Sequence, residues 1–336
     1  MAERPRSVGS RPTPGAGVAD GILVVKKAAG WTSHDVVAKL RGLLGDHKVG
    51  HAGTLDPAAT GVLPVLIGRA TRIAEYLLEW DKEYRAVLRL GETTDTQDAT
   101  GTILARRSTE GLTEEAIRSA VLGFQGRVVQ LPPMYSAVKV GGVPLYKAAR
   151  AGRTVARGPR EVTVYAIEVL GIEGRDVSLS VRCSKGTYIR TLCADIGEAL
   201  QVGGHLLTLE RTRVGPLDIE RALTVEEIQS RFLLGRLAED LVTLDQALDR
   251  FPALTVEDAT ARRVLHGVPV PHRSVAGTEG GRSVDLTAGQ LVRLKDAAGR
   301  LLALGLVRER SGAHQGGGSE GSGWTIAIQK VLMDSR

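Results

Sequence analysis

The reading of this chain turns on Lys48-Val-Gly-His-Ala-Gly-Thr-Leu-Asp-Pro-Ala-Ala-Thr-Gly61. Gly50, Gly53, Pro57 and Gly61 fall within fourteen residues, a density that breaks a plain helix or strand. Glycine opens backbone angles closed to other residues. Pro57 fixes its own φ and drives Asp56 towards extended backbone. Asp56 therefore stands on a shaped loop between apolar segments, where a rigid scaffold presents reacting groups. An Asp before Pro is also an ordinary turn former, so the local pattern alone leaves both readings open.

Regular elements are legible on either side. Ile22-Leu-Val-Val25 reads as a buried strand, and Val36, Val37, Leu40, Leu43 and Leu44 recur at helical spacing. Thr32 and Asp35 form a capping pair for that helix. Beyond the loop, a short helix around 71–79 precedes Lys82-Glu83-Tyr84. There Tyr84, Ala86, Leu88 and Leu90 alternate with Arg85, Val87 and Arg89 as in a strand. The run 91–101 has no apolar period and reads as a loop; its carboxylates lack the His or Cys support of a metal site. Thr113 caps a helix, Thr224 and Glu227 form a capping box for another, and Pro132 and Pro133 stiffen the approach to Tyr135. Val177, Leu179, Val181 and Cys183 mark a half-buried strand. It ends at Ser184-Lys-Gly-Thr187, and a helix begins near Tyr188 with Ile189, Leu192, Cys193, Ile196 and Leu200 on its core face. Tyr188 and Arg190 thus sit at a strand-to-helix turn, where side chains and free N–H groups point out together. From about residue 256 the pattern changes to short strands, as in a small β-barrel, with a Gly/Ser-rich loop at 311–323.

Composition narrows the partners. At 336 residues the chain accommodates two domains, and its apolar content of 43% is that of a soluble globular protein. No run approaches a membrane span. Residues 1–19 lack an apolar signal core and read as a disordered tail. Cys183 and Cys193 lie inside apolar patterns and suit a reducing cytosol. The net charge of +6 and pI of about 9.4 favour a polyanionic partner. Arginine dominates that charge, with 34 Arg against 10 Lys, and guanidinium grips phosphate bidentately and stacks on bases. Arg150, Arg153, Arg157 and Arg160 fall in an eleven-residue stretch without an acidic residue, a candidate for tracking phosphates. A solvated face is the alternative.

Other patterns lack their structural context. Gly317-Gly-Ser-Glu-Gly321 matches a nucleophile elbow but lies in the Gly/Ser loop. His47 and His51 have i, i+4 spacing, yet Gly50 spoils the helix that a metal pair needs. Without nucleotide-binding or metal motifs, the chemistry is expected to need no cofactor and no metal.

The string around Asp56 resembles the catalytic-loop motif of the TruB family of bacterial pseudouridine synthases. Lys82-Glu-Tyr84, Gln130-Leu-Pro-Pro-Met-Tyr-Ser-Ala-Val-Lys139, Lys185-Gly-Thr-Tyr-Ile-Arg-Thr-Leu192 and Leu209-Glu-Arg-Thr-Arg213 continue the match over about residues 20–215. One departure is Lys26-Lys27-Ala28, where the family carries an acidic residue, Lys and Pro. The resemblance implies a catalytic domain over 20–248 and a PUA-like RNA-binding domain over 256–336. It implies an α/β (α+β) fold, a mixed and largely antiparallel sheet flanked by helices, plus the small barrel. It further implies Asp56 as the catalytic carboxylate, Arg190 as its partner, Tyr84 and Tyr188 against the target base, and Leu209 beside it. Lys185 belongs to the RNA-contacting set. The substrate implied is uridine 55 in the T-loop of transfer RNA, met by a cytoplasmic protein expected to act as a monomer.

Forming pseudouridine breaks the N1–C1′ bond of uridine, rotates the uracil and rejoins it through C5. Nothing is oxidised and nothing leaves, so one carboxylate suffices as nucleophile or base. A paired Arg lowers a carboxylate's pKa and holds its geometry, the role expected of Arg190. The base must leave its stack at a cost of roughly a few kcal/mol. Tyr84 and Tyr188 offer replacement stacking of about 1–3 kcal/mol per base. His51 fills the space the flipped base vacates, holds its backbone, or merely ties the loop through a hydrogen bond. Two rival readings share these residues: the same chemistry on another RNA, or an RNA-binding or RNA-folding protein with a vestigial site.

Overall fold

The alternation at Tyr84–Leu90 becomes the middle of a sheet because both neighbours bring matching apolar faces. The structure, a computed structural model, describes residues 19–333 apart from 46, 137, 151, 154, 272–273, 279–285 and 310–323. The tail before residue 19, the Gly/Ser loop and its elbow-like pattern lie outside the described residues.

The chain opens with β1 (Gly21–Lys27), α1 (Ser33–Leu44), β2 (Val49–His51) and β3 (Thr60–Ile67). A 3-10 turn leads to α2 (Ala74–Leu78), then β4 (Lys82–Leu90), β5 (Glu92–Thr94), β6 (Ile103–Arg106), α3 (Glu114–Leu122) and β7 (Gly126–Gln130). The hairpin β8 (Lys139–Val140) and β9 (Val143–Pro144) leads into α4 (Leu145–Arg150). Next come β10 (Arg160–Glu173), β11 (Asp176–Cys183), α5 (Ile189–Ala199), β12 (Gly204–Val214) and β13 (Leu217–Asp218). Then α6 (Val225–Leu233) and α7 (Leu244–Ala247) precede a second sheet.

The large sheet runs β1-β3-β12-β4-β11-β10-β7, with β2 on β3 and β13 on β12. All its pairs are antiparallel except β3 with β12, where Glu210 faces Thr60 and Arg211 faces Gly61. The expected mixed, largely antiparallel sheet is therefore present. Gly61, at φ +99°, is fixed by this contact: a Cβ there would lie 2.2 Å from the Arg211 carbonyl oxygen. Leu88, Val177, Leu179, Leu192 and Ile196 pack the α3–α5 side, and Leu40, Leu63, Val65 and Ile228 pack against α1 and α6. Thr32 and Asp35 make the expected reciprocal cap of α1, as do Thr224 and Glu227 at α6.

The second sheet comprises β14 (Ala253–Val256), β15 (Val270–Pro271), β16 (Val275–Thr278), β17 (Leu291–Lys295), β18 (Leu301–Glu309) and β19 (Trp324–Val331). Their order is β15-β19-β18-β17-β14-β16, a barrel-like layer packed by α8 (Asp258–Leu265). It begins at Ala253, three residues before the expected start at 256, because 253–255 pair with Arg293–Lys295 of β17. Leu304 and Leu332 from this part join the core cluster of Leu77, Trp80 and Val242.

Two local expectations change. The stretch 48–61 is a loop only over 52–59, since its ends pair as β2 and β3 despite their glycines. The run 91–101 is not all loop: Glu92–Thr94 pairs with Ile103–Arg106.

Candidate active site

Short-range geometry shapes the loop bearing Asp56, and long-range donors pin it. Ser33, at the start of α1, accepts from the Leu55 N–H at 2.9 Å and donates to the Leu55 carbonyl at 3.2 Å. The fully buried Lys27 donates through Nζ to the carbonyls of Ala28, Trp31 and Pro57 at 2.9, 2.7 and 3.2 Å. The departure at Lys26-Lys27-Ala28 thus keeps the lysine as a tie between two loops. On the opposite side the buried Arg211 donates from Nη2 to Gly53 O at 2.9 Å, from Nη1 to Thr54 O at 3.4 Å and from Nε to Val62 O at 2.8 Å. The Lys27 and Arg211 donors named here all meet backbone carbonyls.

Arg190 arrives from the other half of the domain. Its helix begins where the Gln130 side-chain amide clamps Tyr188: Oε1 accepts from Tyr188 N at 3.0 Å and Nε2 donates to Tyr188 O at 3.2 Å. Tyr188 itself caps the helix with no side-chain bond, so the clamp fixes only its backbone. The Arg190 side chain is 5% exposed and its Nε lies 3.0 Å from Asp56 Oδ2. Nη1 lies 3.6 Å from Asp98 Oδ2 and donates to Thr96 O at 3.3 Å, while Nη2 donates to Tyr135 O at 2.8 Å. Four groups hold the guanidinium, so its direction is fixed before any ligand binds.

Asp98 was not among the residues that the sequence picked out. The signal was there in Thr96-Gln-Asp98-Ala-Thr100. Both threonine hydroxyls donate to Asp98 Oδ1, at 2.7 and 2.6 Å, and so does the Thr100 N–H at 3.0 Å. Its backbone is pinned to β12 through Leu206, with Gln97 at φ +63°. Asp56 and Asp98 thus flank one buried arginine.

The balance of charge differs from the expectation for Asp56. Arg190 and Lys27 pull its pKa down, but burial is the larger influence and Asp98 adds to it, so the net shift is upward from the ordinary value. The Asp56 side chain nevertheless keeps 43% of its surface open to solvent, so it is accessible to a ligand. Burial likewise pushes Tyr84 up to about 12, although the Arg211 charge acts in the other direction. Burial, Arg211 and His34 push His51 down, favouring the neutral ring, and its buried Nδ1 has no hydrogen-bond partner among the described residues.

Asp56, Asp98, Arg190 and Leu209 line a cleft of about 40 Å³ together with Ala58, Ala59 and Leu206. Tyr84 approaches from the adjoining strand, paired with Arg211 in the sheet register and near enough to Asp56 to feel its charge. Tyr188 stands half-buried immediately before Arg190. The remaining RNA-facing expectations divide. Arg153 and Arg160 are exposed, whereas Arg157 donates to the carbonyls of Pro132 and Val155. Arg150 ends α4, and its side chain is not among those described. Lys185 is exposed but ion-paired with Glu79, so a phosphate would have to displace that carboxylate.

Comparison with known proteins converges on one group. The model of the TruB family pseudouridylate synthase N-terminal domain matches residues 41–189, and that of the tRNA pseudouridylate synthase B C-terminal domain matches 190–253. The chain is 42% identical over 297 residues to the tRNA pseudouridine synthase B of Syntrophotalea carbinolica, covering 88% of this chain and 95% of that one. It is 44% identical over 306 residues to that of Thermobifida fusca, covering 89% and 97%. Among solved structures it is similar to a chain of a Cbf5-Nop10-Gar1 complex, at TM-score 0.73 and 31% identity over 94% of this chain and 85% of that one. A chain of an H/ACA RNP bound to a substrate RNA containing 2′-deoxyuridine gives TM-score 0.71 and 29% identity, over 94% and 86%.

Proposed function

This chain belongs to the TruB family of pseudouridylate synthases and is an isomerase acting on tRNA, and from that premise we propose that it converts uridine 55 of the T-loop to pseudouridine with Asp56 as the catalytic carboxylate. The observation that carries this reading is the 3.0 Å contact between Arg190 and Asp56, residues far apart in sequence, at a cleft that also holds Leu209. A carboxylate held by a guanidinium and still reachable from solvent suits attack on a sugar or base carbon, or removal of a sugar proton.

In this reading the uridine flips out of its stack, and Tyr188 and Tyr84 replace the stacking surface it leaves. The flipped base comes to rest with its sugar towards Asp56. His51, neutral and with an unpartnered ring nitrogen, holds the RNA backbone or fills the gap the base leaves. Exposed Arg153 and Arg160 meet phosphates. The C-terminal sheet, from 253 onwards, serves as a PUA-like RNA-binding domain, and the protein works as a cytoplasmic monomer. Neither cofactor nor metal enters the reaction.

Purified protein incubated with unmodified tRNA, followed by mapping of pseudouridine, tests the proposal. Modification at position 55 alone is the expected result. Modification at another position, or only in another RNA, overturns the site assignment. Tight RNA binding with no modified base would instead identify an RNA-folding protein with a vestigial site.

A further inference from the structure

Tyr135 stands out in the sequence behind two prolines, and the proposed reaction leaves it unused. It belongs to 131–136, an irregular segment between β7 and the β8–β9 hairpin. That segment is held at three points. Gln130, just before it, clamps the Tyr188 backbone. Arg157 Nε donates to Pro132 O, and Arg190 Nη2 donates to Tyr135 O at 2.8 Å. Pro132, Pro133 and Ser136 are buried, yet Tyr135 is 37% exposed. The other tyrosine found exposed among the described residues, Tyr165, carries the Arg182 guanidinium 5.3 Å from its ring centroid. The Tyr135 ring has no aromatic or cationic partner among the described residues. A rigid backbone therefore presents an open aromatic face.

Its location gives that face a ligand. The Tyr135 carbonyl and the Asp56 carboxylate bind the same guanidinium, so Tyr135 borders the cleft. Through Arg157 the segment also borders the stretch that carries the exposed Arg153 and Arg160. An RNA strand with its uridine at Asp56 and its phosphates on those two arginines passes over Tyr135. Flipping a base out of its stack also strips one stacking face from each of its neighbours. We propose that Tyr135 covers one of these faces: its ring stacks on the unpaired nucleobase next to the flipped uridine, on the side whose phosphates lead to Arg153 and Arg160. Every base has a π-face, so this contact depends on the presence of a base and little on its identity. It also selects for structure. A neighbour stacked on both sides within a duplex has no face to offer, whereas an unpaired loop base does. Tyr135 thereby favours a uridine in a loop over one in a helix.

The inference rests on the proposed uridine 55 reading, and its test separates the two. Wild-type protein and Tyr135→Ala are compared on intact tRNA and on tRNA with an abasic ribose at position 54 or at position 56. Dissociation constants are measured for each pair, and pseudouridine is mapped with the wild type on intact tRNA. Absence of pseudouridine at 55 refutes the proposed reaction, and the affinities then still report whether Tyr135 stacks. For the wild type, removing the base on one side of 55 should weaken binding by about fivefold to a hundredfold beyond its effect on Tyr135→Ala. The cycle cancels any change that the missing base makes to the RNA alone. Tyr135→Phe, which keeps the ring, should restore that coupling. The Arg190 bond uses the Tyr135 carbonyl, so substitution of the side chain leaves it in place. Should Tyr135→Ala not fold, Tyr135→Leu, apolar but without a ring, takes its place in the cycle. Coupling to neither flank, equal coupling to both, or coupling that Tyr135→Phe fails to restore overturns the proposal.

Discussion

Asp56 and Asp98 share one guanidinium, and this makes their effects separable. Asp56→Asn should abolish pseudouridine formation while leaving tRNA affinity close to wild type. Measurable turnover would remove Asp56 from the reaction. Asp98 raises the Asp56 pKa by repulsion, whereas Arg190 lowers it. Removing the Asp98 charge should therefore move the acid limb of the pH–rate profile to lower pH. Removing the Arg190 charge should move it to higher pH. Asp98→Asn should also reduce kcat, because Arg190 loses one of the groups that aim it. A reacting atom displaced by about 1 Å can cost on the order of a hundredfold. A downward shift of the limb with reduced kcat fits the shared arginine; an unmoved limb means Asp98 is too well screened to matter.

At the scale of elements, the loop 52–59 buries Ala52, Leu55 and Ala59 in the core and is tied to α1, β12 and the end of β1. Lys27 is the tie whose protonation can be followed. Its pKa is lowered from 10.5 to about 8, with burial the main cause and Arg211 adding to it, against the pull of Asp56 and Asp35. Between those two values the unfolded chain binds the extra proton, so Lys27 makes stability rise with pH from about 8 to 10.5. Lys27→Met removes this contribution and leaves three carbonyl oxygens without that donor. Pro57 O keeps the Gly30 N–H at 2.9 Å, and a buried acceptor left with no donor costs about 1–3 kcal/mol. The gap in melting temperature between wild type and variant should widen from pH 7 to pH 10; a gap independent of pH would show that Lys27 stays charged throughout.

At the scale of the whole molecule, the two sheets are fastened by more than a linker. Arg293 Nη1 and Lys295 Nζ, both nearly buried, meet the two oxygens of Asp245 at 2.6 and 2.7 Å. Arg293 also donates to Phe251 O at 2.8 Å, and Arg72 to Val331 O at 2.8 Å. Asp245→Ala should destabilise by about 2–3 kcal/mol, less than for a fully buried pair because Asp245 is a third open to solvent. It should also separate one thermal transition into two, which calorimetry would detect. A single unshifted transition would show the apolar contact through Leu304 and Leu332 to be sufficient. The arginine-rich surface makes a second molecular prediction. Replacing Arg150, Arg153, Arg157 and Arg160 by Ala should weaken tRNA binding and flatten its salt dependence. The log–log slope should fall by roughly 0.7–0.9 for each phosphate no longer neutralised. Because Arg157 already bonds two carbonyls, its share should be smaller than those of Arg153 and Arg160.

The sequence by itself determined the elements and singled out Asp56 as the candidate reacting group. The alternation along 84–90 and 177–183, the caps at Thr32 and Thr224, and the glycine-rich setting of Asp56 are local properties, read from neighbours a few residues apart. The family was legible for the same reason, since its motifs are short and contiguous. What only the tertiary structure decided is how groups from distant segments meet. Asp98 sat in a run without period, where the flanking Thr96 and Thr100 mark a locally bonded carboxylate, but only the fold brought Leu206 and Arg190 beside it. The pairing of Tyr84 with Arg211 follows from strand register across more than a hundred residues, which a bulge between Leu206 and Thr208 also adjusts. The upward shift of Asp56 is the clearest case. Arg190 alone predicts a fall, and the sign reverses because desolvation depends on every atom packed around the carboxyl, a sum that exists only in the folded chain.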